Sequence, residues 1–414
     1  MLNALSVLLV ASLGVPGPGP SARGELLPVP TVNPGQQLTV TAVDVSPSGA
    51  VVGNAQVVTT AFDGTTSTAD LAQKWAKTPR DWRLRPLSPP AGSTSTLVYG
   101  LTDRGEAAGL ATLDGTTRAT RWSADGRSST LIGEARSRAD AVGPDGPWGV
   151  STAGDTFIAG EAELVTRAGV RTPLRGTPEL DAGYRRNVGA VGGPDTALVW
   201  VTNGIGQGTT AAPVLWKAGA TLRLPVFSSI FLGPACVSRV QPDGSVVASG
   251  FSNTGGLPKW ILLRHTGGVP GTDEVLAEAT QTGGQIGGLS CTSGLQSNTL
   301  AADGGIAGYL NDAEGRRNAA YWNAANVVTT VPLATGERSA SGVAAATGGR
   351  MVILAESEDG TNRLSLWRNG RRTQLPAPRG WTVASVVELT EAGLLVANVR
   401  NEAGTTRPAV WNLR

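Results

Sequence analysis

The 414-residue sequence is short of the residue types that most often carry chemistry. Its single histidine, His265, excludes a two-histidine metal site and any histidine array. No Gly-x-Ser-x-Gly elbow accompanies it, so a Ser-His-Asp triad has no support and a surface-loop position is expected. Charge is also scarce. Asp, Glu, Lys and Arg make up 16% of the chain and the net charge is +2, which gives no electrostatic case for nucleic acid or an anionic membrane as partner. Long apolar runs are missing as well. Leu2–Val15 falls short of the roughly 20 residues of a membrane-spanning helix, and no other stretch could span a bilayer.

That first run has another reading. Followed by Pro-Gly-Pro-Gly-Pro and Ser21-Ala22, it makes residues 1–22 a secretory signal, although no Lys or Arg precedes Arg23. Residues 23–414 are then a secreted, monomeric domain. The two cysteines agree with export. Bridged, Cys236 and Cys291 close a loop of 55 residues, worth about 4 kcal/mol in the chain-entropy account. Two unrelated buried thiols are the alternative.

Ligand motifs are absent too. Asp-Gly pairs recur, as at Asp114-Gly115 and Asp243-Gly244, but none extends to the oxygen-rich loop that surrounds calcium. Asn203–Gly208 is Gly-rich without a following helix, so it offers no phosphate cradle. No cofactor is expected. Acidic residues beside loops, Glu161, Glu163, Glu179, Asp181, Glu356 and Glu358, leave a glycoside-hydrolase carboxylate pair open.

What the chain does have is a repeat. Thr390–Trp411 and Thr102–Trp122 both run from a Gly turn through small and apolar residues to Gly-Thr-Thr-Arg, with Trp seven positions after that Gly. The same step recurs at Gly315–Trp322 and Gly360–Trp367. Tryptophans 75, 122, 216, 260, 322, 367 and 411 keep a beat of about 45 residues, with a missing one near Thr166. Each unit holds short runs rich in Val, Thr, Leu and Ala between Gly turns, and its last run ends on Leu, often with Pro. Four short strands per unit predict an all-β chain, a single β-propeller of about eight four-stranded blades, with seven as the alternative. The last unit has room for three strands only. The early run Glu25–Pro30 resembles an outer strand and is expected to complete that blade.

The long gap after Trp260 marks His265–Gly288 as an insertion, with a short helix expected at Asp273–Ala279. Four tryptophans lie off the beat: Trp82, Trp148, Trp200 and Trp381. Trp148 and Trp381, with Tyr184 beside Arg185, fall near the entry to a unit's first strand. They are the candidate ligand face, suited to stacking on sugar rings or to seating a protein partner. Extra packing between blades is the competing role.

Val51-Val52-Gly53, Ile306-Ala307-Gly308, Ala319-Ala320-Tyr321-Trp322 and Pro408-Ala409-Val410-Trp411 together resemble the extracellular HAF-repeat proteins, secreted bacterial β-propeller-like chains. The His-Ala-Phe triplet itself is absent. The resemblance implies the fold and an extracellular setting, and no defined activity. The functional expectation is a secreted binding or scaffold module for carbohydrate or a cell-envelope protein, against an extracellular polysaccharide hydrolase or lyase.

Overall fold

The computed structural model describes residues 23–152, 160–181, 185–203, 210–229, 235–253, 259–280, 283–284, 287–291 and 296–413. Its strands form eight sheets, and these are the blades of a β-propeller. Blades 1 to 7 span 36–86, 93–135, 137–173, 185–223, 236–280, 287–331 and 337–375. Blade 8 takes its three inner strands from 381–412 and its outer strand from the chain start. Apart from the single helical turn Pro178–Asp181, the described residues hold no helix. None is long and apolar enough to cross a membrane.

The ring closes as expected. Glu25 pairs with Val410 and Leu26 with Ala409, so the N-terminal run is the fourth strand of blade 8. Leu27 is fully buried beside Val40, Trp75 and Val396. The core is divided among the eight junctions between blades, one apolar cluster to each. A propeller has no single centre to bury, so each blade covers its neighbour's face.

The repeat has a physical rule. In every blade one residue of the third strand faces the first or second residue of the second strand. The pairs are Val51–Trp75, Ala107–Trp122, Trp148–Val165, Ala197–Trp216, Val246–His265, Ile306–Trp322, Met351–Trp367 and Leu395–Trp411. Three of these indoles donate to the carbonyl just past the buried Leu that ends or follows the preceding outer strand. They are Trp75 to Pro28 (2.7 Å), Trp122 to Ser88 (2.9 Å) and Trp411 to Pro376 (2.9 Å). The Trp and the Leu-Pro of the repeat are therefore two halves of one contact between blades.

The small residue two places into the second strand also has a reason. A Cβ on Gly53 would stand 2.0 Å from the Thr41 carbonyl oxygen, and one on Gly109 1.9 Å from that of Leu97. No side chain fits there. One residue later, Asn54 and Asn398 each grip the backbone of the next blade's inner strand, with the Val98 and Ala42 amides donating to them over 2.8 Å. Ser151 accepts likewise from the Val188 amide.

Four expectations need correction. His265, not Trp260, holds the framework position of blade 5, so His265 is fully buried and not a surface-loop residue. Trp260 opens that strand instead, edge-on to Phe251 and donating to the Gly287 carbonyl. The segment expected as a helix at Asp273–Ala279 is the outer strand Glu274–Thr280, because pairing with Lys259–His265 satisfies its backbone. In blade 3 the missing beat falls on Val165, one residue before Thr166, and Trp148 fills the place from the neighbouring strand.

Candidate functional site

Inner strands line the ring's central channel, and the turns from inner to second strand form one of its two faces. Arg239 follows the inner strand of blade 5, while Asp44 and Glu388 lie on the inner strands of blades 1 and 8. In a ring of eight, blade 5 stands across the channel from blade 1. The guanidinium nevertheless reaches both, with Nη1 2.8 Å and Nη2 2.7 Å from the two Glu388 oxygens, and Nη2 2.8 Å from Asp44 Oδ1. Two parallel bonds to one carboxylate fix orientation as well as distance.

The electrostatics follow from that geometry. Burial pushes the Glu388 carboxyl up from its ordinary value, and Asp44 adds to the shift against the pull of Arg239. Burial opposes the charge on Arg239, yet the two carboxylates outweigh it and hold the arginine above its usual range. Burial, with Asp145 nearby, also raises Asp103, which Arg239 partly offsets. Deeper in blade 3, burial lifts Asp140 to about 6 against Ser151 and Arg138. Asp44 has a second task, accepting the Leu101 amide of blade 2 over 2.7 Å. The channel mouth is thus acidic, and the bridging Arg239 is already engaged by both carboxylates.

On the same face a cleft of about 490 Å³ opens between blades 5 and 6. Val246 and Leu300 give it an apolar floor, and Asp243, Ser245, Thr266 and Asp303 give it polar walls. Asp243 accepts from the Ser245 amide (2.8 Å) and hydroxyl (2.9 Å), and Asp303 accepts from the Gly305 and Gly348 amides. Arg264 spans the junction, donating to the Gly304 carbonyl over 2.6 Å. Beneath, His265 Nδ1 donates to Asp273 over 2.9 Å, and its buried Nε2 has no hydrogen-bond partner among the described residues. The wall groups are held by turn hydrogen bonds, so the cleft is preformed and presents both donors and acceptors.

The disulfide braces this junction. Cys236 lies on the inner strand of blade 5, Cys291 follows the first strand of blade 6, and they are bonded with Cα atoms 5.8 Å apart.

The expected aromatic face does not assemble. Trp148 is fully buried between blades 2 and 3, with the Arg121 guanidinium 5.0 Å from its ring centre. It follows an inner-to-second turn, whereas Trp381 starts an inner strand at the opposite face. Trp381 is half-buried against the core of blades 7 and 8, with Arg407 5.9 Å from its ring centre. Trp148 therefore has the packing role, and Trp381 packs with the face it does not expose. Arg185 begins the inner strand of blade 4 through its pairing with Thr202, and Tyr184 lies outside the described residues. Among the acidic candidates, Glu161 and Glu163 pair with Arg175 and Arg171, and Glu356 with Arg338. Asp44, Glu388 and Arg239 carried no signal in the sequence, because 149 or more residues separate the arginine from each carboxylate.

No family model and no curated protein matches the chain. Among solved structures it is similar to the acylaminoacyl peptidase of Pyrococcus horikoshii, at 11% identity and TM-score 0.40, over 88% of this chain and 58% of that one. A post-proline cleaving enzyme from Rickettsia typhi matches at 8% identity and TM-score 0.46, over 84% and 56%. Porphyromonas gingivalis dipeptidyl peptidase 4 matches at 11% and 0.48, over 86% and 57%. The chain thus spans less than two thirds of the length of these peptidases.

Proposed function

We propose that the protein is an exported, non-catalytic propeller that binds carbohydrate on the face formed by its inner-to-second turns. The preformed polar cleft between blades 5 and 6 carries this reading. Its hydroxyls and carboxylates suit a polyol, which donates and accepts at every carbon, and its volume lies within the range of small-ligand pockets. Among the described residues no Trp, Tyr or Phe lines it, so recognition rests on hydrogen bonds, with sugar stacking left out. Export is supported by the apolar first residues and by the Cys236–Cys291 bridge, which persists only in an oxidising setting. The resemblance of the repeat to HAF-repeat proteins points the same way.

A second reading has one observation in its favour. Asp44 and Glu388 bind the same Arg239 nitrogen, so two carboxylates meet at the channel mouth as a polysaccharide hydrolase or lyase would need. Arg239 occupies the space between them, which favours a structural role.

A panel of neutral and acidic oligosaccharides, read by thermal shift and product analysis, separates the two. Stabilisation without new reducing or unsaturated ends is the expected result. Turnover that disappears in Glu388→Gln would replace the binding reading with the enzymatic one.

A further inference from the structure

Blade 3 departs from the repeat at its framework position, and the departure leaves space. The bulky residue there comes from the second strand, as Trp148, while the third strand carries the much smaller Val165. The second strand lies nearer the channel than the third. Trp148 therefore fills the inner part of the place, and the part above Val165 stays open. A cleft of about 290 Å³ lies there, on the rim between blades 2 and 3.

Three arginines line it, Arg121, Arg167 and Arg171, together with Thr130 and Thr166, and among the described residues no carboxylate lines it. Glu106 pairs with Arg167 at 3.0 Å and Glu163 pairs with Arg171, so each neutralises one guanidinium from outside the cleft. Arg121 bonds the Arg167 carbonyl over 3.0 Å and rests on Trp148, and among the described residues it pairs with no carboxylate. One positive charge is left uncompensated in a concave site with two hydroxyl donors. The position before the framework residue is cationic elsewhere too, and there as here it bonds the next blade: Lys74 the Gly105 and Ala124 carbonyls, Arg264 those of Gly304 and Ala324. Only in blade 3, among the described residues, do further arginines from the third-to-outer turn and outer strand join it over a cleft.

We propose that this cleft binds an oxyanion, a carboxylate, sulfate or phosphate group, held by the guanidinium groups of Arg121, Arg167 and Arg171. Arginine forks match such groups, and an anion there completes the charge balance of the three. The site is separate from the blade 5–6 cleft, and its failure would leave that reading untouched.

The test is calorimetric titration of the purified full chain with inorganic sulfate, inorganic phosphate, a uronate oligomer and a sulfated oligosaccharide. The arms tell a free ion from a glycan-borne group. Saturable binding to at least one is expected, weakening as salt rises. Arg167→Gln should weaken it at least tenfold. Thr130→Glu places a carboxylate at an exposed position on the cleft wall, where folding tolerates it, and should abolish binding. No saturable binding in any arm overturns the proposal, as does binding unchanged in a folded Thr130→Glu protein.

Discussion

Trp148 and Val165 face each other across two strands of blade 3, in the reverse order of the Val51–Trp75 pair in blade 1. The large residue is conserved in volume at that layer, and the strand that supplies it has changed.

This exchange predicts a coupling. Trp148→Val alone empties a fully buried site and should cost about 3–5 kcal/mol. Val165→Trp alone reaches into the cleft above Val165 and sets a second indole against Trp148, which still fills the inner part of the place, at about 1–3 kcal/mol. The double variant restores the order used by other blades and should lose less than the sum of the two by more than about 1 kcal/mol. Urea unfolding of the four proteins measures this, and additive losses would mean that the residues fill separate places.

Arg239 predicts a pH-dependent defect. Replacing it with Met leaves Asp44 and Glu388 facing each other, with a loss between those of exposed and buried pairs, about 1–3 kcal/mol, since the arginine is 46% exposed. Glu388 already has a raised folded pKa, so its contribution is present at low pH and fades as pH rises through that value. The variant should therefore lose more at pH 9 than at pH 5. Equal losses at both would exclude repulsion between the carboxylates as the cause.

Asp140 gives a sharper window. Its folded pKa of about 6 lies above the ordinary 3.8, so the folded chain holds that proton more tightly than the unfolded one. Stability from this group is complete below pH 4 and is lost by about pH 6, at most about 3 kcal/mol. Asp140→Asn should raise the melting temperature at pH 7.5 and leave it unchanged at pH 4. A drop at pH 7.5 would show that the bond with Arg138 outweighs burial.

Ring closure rests on few residues. Leu27 is buried, its carbonyl accepts from Arg407 over 2.9 Å, and the next carbonyl accepts the Trp75 indole. Leu27→Ala should cost about 2–5 kcal/mol. Deleting residues 23–30 should cost more, as a sharp fall in melting temperature. An unchanged melt would mean that the ring holds without its N-terminal strand.

The blades were legible because they depend on local pattern: the Gly turns, the Leu-Pro end and the Trp each recur at a fixed offset. The closing strand was legible for the same reason, since Leu27-Pro28 repeats Leu375-Pro376. Trp260 misled because it falls on the beat by number, five residues before the position that His265 occupies in the sheet. Trp148 looked like a loop aromatic because nothing in one strand tells that its neighbour across the sheet is undersized. The Arg239 bridge and the clefts were not legible at all. The bridge joins blades distant in sequence, and the clefts depend on how side chains of two neighbouring blades meet, and no spacing encodes either.

The most direct test of the binding account is calorimetric titration of the best oligosaccharide from the panel into wild type and Ser245→Trp. Ser245 is a half-buried wall residue of the blade 5–6 cleft, and an indole there fills the space while leaving the strands in place. The account predicts saturable binding by wild type and a loss of at least tenfold in the filled variant, with melting unchanged. Equal affinity in the two proteins would contradict it and move the ligand elsewhere on the ring.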